Sequence, residues 1–481
     1  VMPSSQPLPA RDAYWRDLAS APFPNGYPAE DARTRLLEEL YFQRAVQVYL
    51  GALPAVNMLA IRDGSEQLWG AGYNILPTWK TRMDAKAIIP TPNADVVYAQ
   101  GYLDLKKDGP LVVVAPPGLI GMFTDFWQRA LTDVGVGGPD KGHGGVYLLL
   151  PPDHDGPIPS GYHVFRSSTF NVFLFWRAPA TKGSSGPDTS QAVANIEKTL
   201  VYPLRMGIPG DWKRMQFPNA SGVLAKMMYP RDVSFYEKLA QFLDYEPVES
   251  VDLYLRGMMA SIGIVKGKPF MPDSRHRQIL EVAAQVAPKM AESLNVSSEV
   301  LPERLYYPGR RHWINAYSGV DDRFFGNTFL NVDVQATFFL MAYSSAPYMN
   351  INAPGLGARY PSTFRDGDGD YLVGDRTYRL HLPANVPAAM FWSVTLYSPV
   401  NGTMVDAGQS FPSINSMGQV SQNRDGSYDL YFGPKLPSGA PESNWIRTVP
   451  GQGFAASLRL YGATMSFYDL SWIPDDVVKM M

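Results

Sequence analysis

Tyr378-Arg379-Leu380-His381-Leu382 and Met390-Phe391-Trp392-Ser393-Val394-Thr395-Leu396-Tyr397 are the stretches that decide the fold of this chain. Apolar residues alternate with others at a period of two, the pattern of strands that lay one face on a core. The same period runs through Tyr428–Phe432 and Ala455–Tyr461, with short turns between. Residues 351–481 therefore read as an antiparallel β-sandwich of jelly-roll type. Upstream, Val96–Leu105, Leu111–Ala115, Val146–Leu150 and Val172–Trp176 form a second set of strands, punctuated by Lys107-Asp108-Gly109-Pro110 and similar clusters. Before them, Leu36, Leu37, Leu40, Ala45, Val48 and Tyr49 recur at helical spacing. Residues 1–180 thus predict an N-terminal α/β-rich domain. Residues 181–350 predict a mainly helical connector, in which Ile279, Val282, Ala283, Val286 and Met290 form an apolar stripe. The class is α+β and β-rich. Met122-Phe123-Thr124-Asp125-Phe126-Trp127 and Met390-Phe391-Trp392-Ser393 give both β-rich halves an aromatic strand motif, the pattern a duplication would leave.

Composition narrows the function classes. A chain of 481 residues is long enough for two to four domains. Its formal charge of −3 and lack of a long basic tract argue against a nucleic-acid partner. The richest apolar stretch, Ala45 to Ile61, is interrupted by Gln47, Pro54 and Asn57 and reads as a buried helix, not a membrane span. With no cysteine there is no disulfide, thiolate nucleophile or Cys-containing metal site. The opening from Val1 through Pro9 shows no signal peptide, as either a removed leader or a trimmed start would leave it. No Walker loop, G-x-G-x-x-G after a strand or G-x-S-x-G elbow is present, so no cofactor is expected. A homo-oligomer is left open.

Thr91-Pro92-Asn93-Ala94-Asp95-Val96-Val97-Tyr98, followed by a strand and Gly109-Pro110, resembles the signature of the bacterial domain of unknown function numbered 1254. Gly374–Pro383, Phe391–Tyr397, Asn444-Trp445 and Leu458–Tyr461 resemble the companion domain numbered 1214. The resemblance implies this two-part architecture and an exported protein, periplasmic or secreted. Residues 411–416 depart from it: Phe411-Pro412-Ser413-Ile414-Asn415-Ser416 stands where the family commonly has an Arg-Tyr-Ser type run, so a cation is missing there.

Three groups of residues carry candidate chemistry. Asn93, Asp95 and Tyr98 follow Pro92, which forces Thr91 out of helical geometry. They read either as a strand-initiating Asx turn or as a carboxylate and phenol aimed into a cleft for acid–base work. Asp125, on the same face as Phe123 and Trp127, needs a partner or a raised pKa. Arg359, Tyr360, Trp392, Tyr397, Asn444, Trp445, Arg459 and Tyr461 combine rings with a few amides and guanidinium groups, as a core or a small-ligand pocket would. His143, Asp153, His154, Asp155 and His163 cluster in sequence without a zinc spacing, so no metal site is expected. Asp366-Gly367-Asp368-Gly369-Asp370 departs from a calcium loop, and His381 predicts a cross-strand bond.

The expectation is an enzyme, hydrolase or lyase, acting on a small organic substrate in a cleft between the β-rich domains. Asp95, Tyr98 and Asp125 would be its acid–base groups. Asn93, Trp127, Arg359, Tyr360, Trp392, Tyr397, Asn444 and Trp445 would bind the ligand. The alternative is a non-catalytic binder of a carbohydrate or other small molecule.

Overall fold

The computed structural model describes residues 9–481 apart from 185, 209 and 318. The chain divides into two compact units, residues 1–56 with 230–302, and residues 57–229 with 303–481. This division departs from a helical connector over 181–350. Only residues 230–302 of that span join the N-terminal helices, because their apolar faces close a core together; the rest belongs to the larger unit.

The smaller unit is helical. It contains α1 (Pro9–Ala19), the first part of α2 (Glu30–Trp69), α3 (Ser234–Tyr245), α4 (Leu253–Ser261) and α5 (Ser274–Asn295). Tyr49 stacks on Phe235 with ring centroids 3.8 Å apart, and Tyr236 donates its hydroxyl to Ala45 O. Asp273 caps α5 by accepting from the His276 amide at 2.8 Å. The buried face of α5 is Ile279, Leu280, Ala283, Ala284, Ala287 and Ala291, whereas Val282 and Met290 are exposed. The stripe is therefore rotated from the one expected, because small alanines let this helix approach its neighbours closely. Helix α2 is long enough to cross a bilayer, but most of its apolar stretch is buried in protein.

The larger unit holds two sandwiches. The first comprises β1 (Val96–Asp104), β2 (Leu111–Ala115), β3 (Ile120–Asp125), β4 (Ala130–Gly135), β5 (Gly145–Leu150), β6 (His163–Arg166), β7 (Asn171–Pro179) and β8 (Leu200–Pro203). Its sheets run β1-β7-β3-β4 and β8-β2-β5-β6. The second comprises β9 (Ala358–Arg359), β10 (Ser362–Thr363), β11 (Tyr378–Leu382), β12 (Ala388–Tyr397), β13 (Ser413–Asn415), β14 (Tyr428–Gly433), β15 (Trp445–Arg447), β16 (Ala455–Ala463) and β17 (Val478–Lys479). Its sheets run β9-β16-β12-β13, with β10 also on β16, and β17-β11-β14-β15.

These two orders are the same order. In each half the long central strand pairs antiparallel with its neighbour, β7 with β3 and β16 with β12, and each second sheet ends on a parallel pair, β5 with β6 and β14 with β15. The topology is an internal repeat, but the aromatic motifs quoted from the sequence are not its register marks. Phe123 points into the first core, while in the second it is Trp392, not Phe391, that points inward. A one-residue offset exchanges the two faces of a strand, so the motifs are out of phase. His381 lies opposite Asp429 across β11 and β14, and its Nδ1 is 2.8 Å from the Asp429 carboxylate, the cross-strand bond expected of it.

Each first sheet buries one face in its own sandwich and turns the other outward with Tyr98, Phe175 and Arg177 in one half and Arg459 and Tyr461 in the other. These outward faces meet. Trp392→Ala, which empties the second core, is expected to cost about 3–5 kcal/mol. Met390→Ala, two residues away on the exposed stretch, should stay within about 0.5 kcal/mol; chemical denaturation of the pair measures the contrast.

Candidate functional site

Asp95 is the first residue to place, because its carboxylate is fully buried where the two sandwiches meet. Asn93 makes the local turn: its Oδ1 accepts from the amides of Asp95 at 2.7 Å and Val96 at 3.1 Å. Thr91 does leave helical geometry, but to φ 38°, a costly conformation for a β-branched residue, held by its amide bond to Gly402 O. The Asx turn is present; of the carboxylate and phenol that follow it, Tyr98 lines a recess beside the junction and Asp95 does not. Asn93 Nδ2 donates to the Tyr461 hydroxyl at 2.9 Å.

Three donors from the second sandwich fill the Asp95 carboxylate. Ser393 Oγ on β12 donates at 2.5 Å and the Tyr461 hydroxyl on β16 at 2.9 Å to one oxygen. Asn415 Nδ2 on β13 donates at 3.0 Å to the other. Arg459, also buried, lies over the Tyr397 ring at 5.3 Å from its centroid. Burial alone would lower its pKa, but the neighbouring Tyr397, Tyr461 and Asp95 outweigh that and hold it raised. Tyr397 donates to Pro92 O at 2.7 Å, tying the same turn from another strand. Beside the 411–416 run, the Arg82 guanidinium sits 4.0 Å over the centroid of the Phe411 ring.

Beside this junction lies a recess of about 580 Å³, counting the part open to solvent. Only about 50 Å³ admits the centres of water-sized molecules, which suits a small occupant. Tyr98 and Arg177 wall it from the first sandwich, Tyr360, Met390 and Tyr461 from the second, and Tyr348 from the segment before it. Among the described residues, Arg177 is its only charged lining residue. Arg177 Nε donates to Ile120 O at 2.8 Å, while the buried Nη2 has no hydrogen-bond partner among the described residues. Burial pushes the Tyr98 phenol up, so it stays protonated, and its ring meets Phe175 edge-on at 4.7 Å. The Tyr461 phenol is raised by burial and by the charge of Asp95.

Asp133 stands behind the Tyr348 wall. It is buried, accepts from the Tyr348 amide at 3.0 Å through Oδ2, and leaves Oδ1 without a partner. Burial lifts its pKa to about 6, against the opposing pull of the Tyr348 amide and Arg177. Tyr348 seats against the bare Gly137 backbone, where a Cβ would lie 2.5 Å from the ring.

The structure brings Asn93, Asp95, Tyr98, Tyr360 and Tyr397 together around this junction and leaves the other candidates apart. Asp125 is paired in its own sandwich, with Arg129 Nε at 2.8 Å and Ser168 Oγ at 2.6 Å. Trp127 is buried in the turn after β3. Trp392 packs edge-on against Tyr428 in the second core. Asn444 ties Ser421 to Asp429 O, and Trp445 donates to Gly433 O, both in the sheet remote from the recess. Arg359 donates to Ile351 O and lies over the Tyr468 ring. A cleft shared by Asp125 with Trp392 or Trp445 does not exist, because those residues fill cores and edges on other faces.

Sequence reading missed Ser393, Asn415, Arg177, Asp133 and Tyr348. Arg177 carried a signal, the strict alternation of Phe173, Phe175 and Arg177 beyond the strand end assigned at Trp176. Among the described residues, the group of three carboxylates close enough to share a cation is Asp366, Asp368 and Asp370, and the ammonium of Lys479 already sits among them.

Residues 73–203 match the family described as Protein of unknown function (DUF1254), and residues 357–465 match Protein of unknown function (DUF1214). The VPA0106 protein from Vibrio parahaemolyticus has a similar fold, with a TM-score of 0.53 at 18% identity over 92% of this chain and 100% of that one. A structure from Burkholderia cenocepacia is matched at a TM-score of 0.41 and 13% identity, covering 96% of this chain and 98% of that one. No curated protein matches the chain.

Two outcomes follow from the junction. Asp95→Asn leaves donors facing a donor and Arg459 without its counter-charge, and is expected to cost about 3–5 kcal/mol in urea unfolding. Asp133 holds its proton more tightly folded than unfolded, so the stability it contributes is present below about pH 4 and is lost as pH rises through about 6. Asp133→Asn should remove that decline, on the order of 2 kcal/mol, from a pH series of melts.

Proposed function

We propose, for a chain that carries the paired DUF1254 and DUF1214 domains, that the recess between its two sandwiches binds a small organic anion. The observation that carries this reading is Arg177, a buried guanidinium with an unpaired Nη2 and no ion-pair partner among the described residues, opening on a recess otherwise lined by phenols, apolar side chains and the Asn93 amide. A buried donor left unpaired costs free energy that a ligand oxygen would recover. The Tyr98 hydroxyl, which has no hydrogen-bond partner among the described residues, lines the recess and can donate to the same ligand. Met349, Met390 and Ile120 offer contact to an apolar body. The volume favours a molecule of a few heavy atoms over an oligosaccharide.

A hydrolase or lyase is the second reading, and one observation favours it. Tyr461 lines the recess and is hydrogen-bonded to Asp95, a phenol–carboxylate pair of the kind acid–base chemistry uses. Against it, three donors of the second sandwich already hold the Asp95 carboxylate, and Asp95 itself is not among the residues that line the recess.

The test is a thermal-shift series with acetate, propionate and benzoate against propionamide and benzamide at constant ionic strength. The carboxylates are expected to raise Tm and the neutral amides are not, since a ligand stabilises by mass action. Arg177→Met should weaken the response at least about tenfold in apparent Kd. Equal responses to acids and amides would dismiss the anion.

A further inference from the structure

Among the described residues, three buried polar atoms without partners, Arg177 Nη2, Asp133 Oδ1 and Thr124 Oγ1, lie on one face of one sheet, and the first two belong to charged groups. The register places them there. Phe175 on β7 pairs with Met122 on β3, which pairs with Asp133 on β4, and Arg177 follows Phe175 two residues on, on the same face. The core-facing neighbours, Leu174, Trp176 and Val134, point the other way. Arg177 and Asp133 are thus opposite charges two strand spacings across and two residues along the sheet, roughly 12 Å between their Cα positions, with no ion pair between them among the described residues. The field of Arg177 is one of the influences that keep Asp133 ionised, and Asp133 in turn anchors Tyr348, a wall of the recess.

We propose that the recess takes up its anion together with a proton, which is stored on Asp133. This rests on the anion reading of the site. When a carboxylate lands on Arg177, the guanidinium is neutralised and a second negative charge arrives on the same sheet face. Asp133 then loses the favourable field of Arg177 and gains a repulsive one, so its carboxylate binds a proton from solvent. No bond of the ligand changes; one anion and up to one proton enter together. Asp133 keeps its bond from the Tyr348 amide in either state, because a protonated carboxyl still offers an acceptor oxygen. The wall therefore need not move.

The other charged and titratable groups around Asp133 do not supply this coupling. Asp322 and Arg323 lie on the turn at residues 321–325, where Arg323 donates to Ala130 O at 3.0 Å. Asp322 is raised by burial and by its neighbour Asp321, and it opposes ionisation of Asp133 whether or not a ligand is bound. Tyr147 on β5 belongs to the core side and holds the Asp140 carboxylate. Arg177 is the one neighbour whose charge a ligand in the recess would cancel.

Isothermal titration of the full chain with propionate and with benzoate, between about pH 6 and 8, tests this, because both acids stay ionised there. Repeating each titration in buffers of different ionisation enthalpy counts the protons. The expected result is net proton uptake of a fraction approaching one per carboxylate bound, and a Kd that rises by up to about tenfold per pH unit. Asp133→Asn should abolish the uptake and flatten the profile, whereas Asp322→Asn should keep both. Carboxylate binding with no proton uptake in the unmodified protein overturns the coupling and leaves the anion site standing. Loss of uptake in Asp322→Asn but not in Asp133→Asn overturns the assignment to Asp133. No binding of either carboxylate at any pH overturns the anion reading, and the coupling with it.

Discussion

A single buried carboxylate fixes how the two sandwiches meet. Asp95 projects from the first sandwich and receives donors from three adjacent strands of the second, Ser393 on β12, Asn415 on β13 and Tyr461 on β16. A carboxylate stripped of water is tolerable only when its lone pairs are filled, so each donor is held in place by the others. That requirement sets the register between two sheets that share no backbone ladder. Arg459 balances the charge and is itself wedged among phenols, which have a polar rim for the bond and an aromatic face for the cation. The geometry is specific because few other relative placements would bring all three donors onto the one carboxylate.

The recess is a consequence of that placement. Two sheets of like topology each bury one face and present the other, and their outward faces carry rings and guanidinium groups instead of the small polar residues a solvent face would have. Where Asp95 and Tyr397 clamp the faces, the fit is tight. Beyond the clamp the sheets diverge, and the glycines and alanine of residues 355–358 leave the gap unfilled. Gly355 and Gly357 are locked to β16 by backbone bonds to Ala463 and Gly462, so the gap has a fixed edge. The repeat supplies two walls of the same architecture; divergence of their outward residues, Arg177 in one and Tyr461 in the other, gives the recess its polarity.

Asp95 and Asp125 illustrate how far chemistry can be read from a chain. Both are carboxylates at strand ends among aromatics, and the sequence marks both as costly unless partnered. Asp125 finds its partner four residues away in Arg129, a local solution. Asp95 finds its partners some three hundred residues on, and nothing near it in sequence distinguishes the two cases. The aromatic set shows the same limit. Trp392 and Tyr360 were equally plausible as wall or core; the parity of β12 sends Trp392 inward, while Tyr360 sits between β9 and β10, where no ladder partner covers it.

By itself the sequence determined the two β-rich halves, their antiparallel strands, the Asx turn at Asn93 and the cross-strand bond of His381. All of these rest on local alternation, turn chemistry and nearest-strand register, whose physical range is a few residues. The tertiary structure alone decided the grouping of residues 230–302 with the N-terminal helices, the rotated face of α5, the phase of the aromatic motifs and the choice among candidate carboxylates. Each of these depends on which distant surface a residue meets. The free energy of burying a charge or an aromatic face is settled by that partner, and local sequence does not specify it.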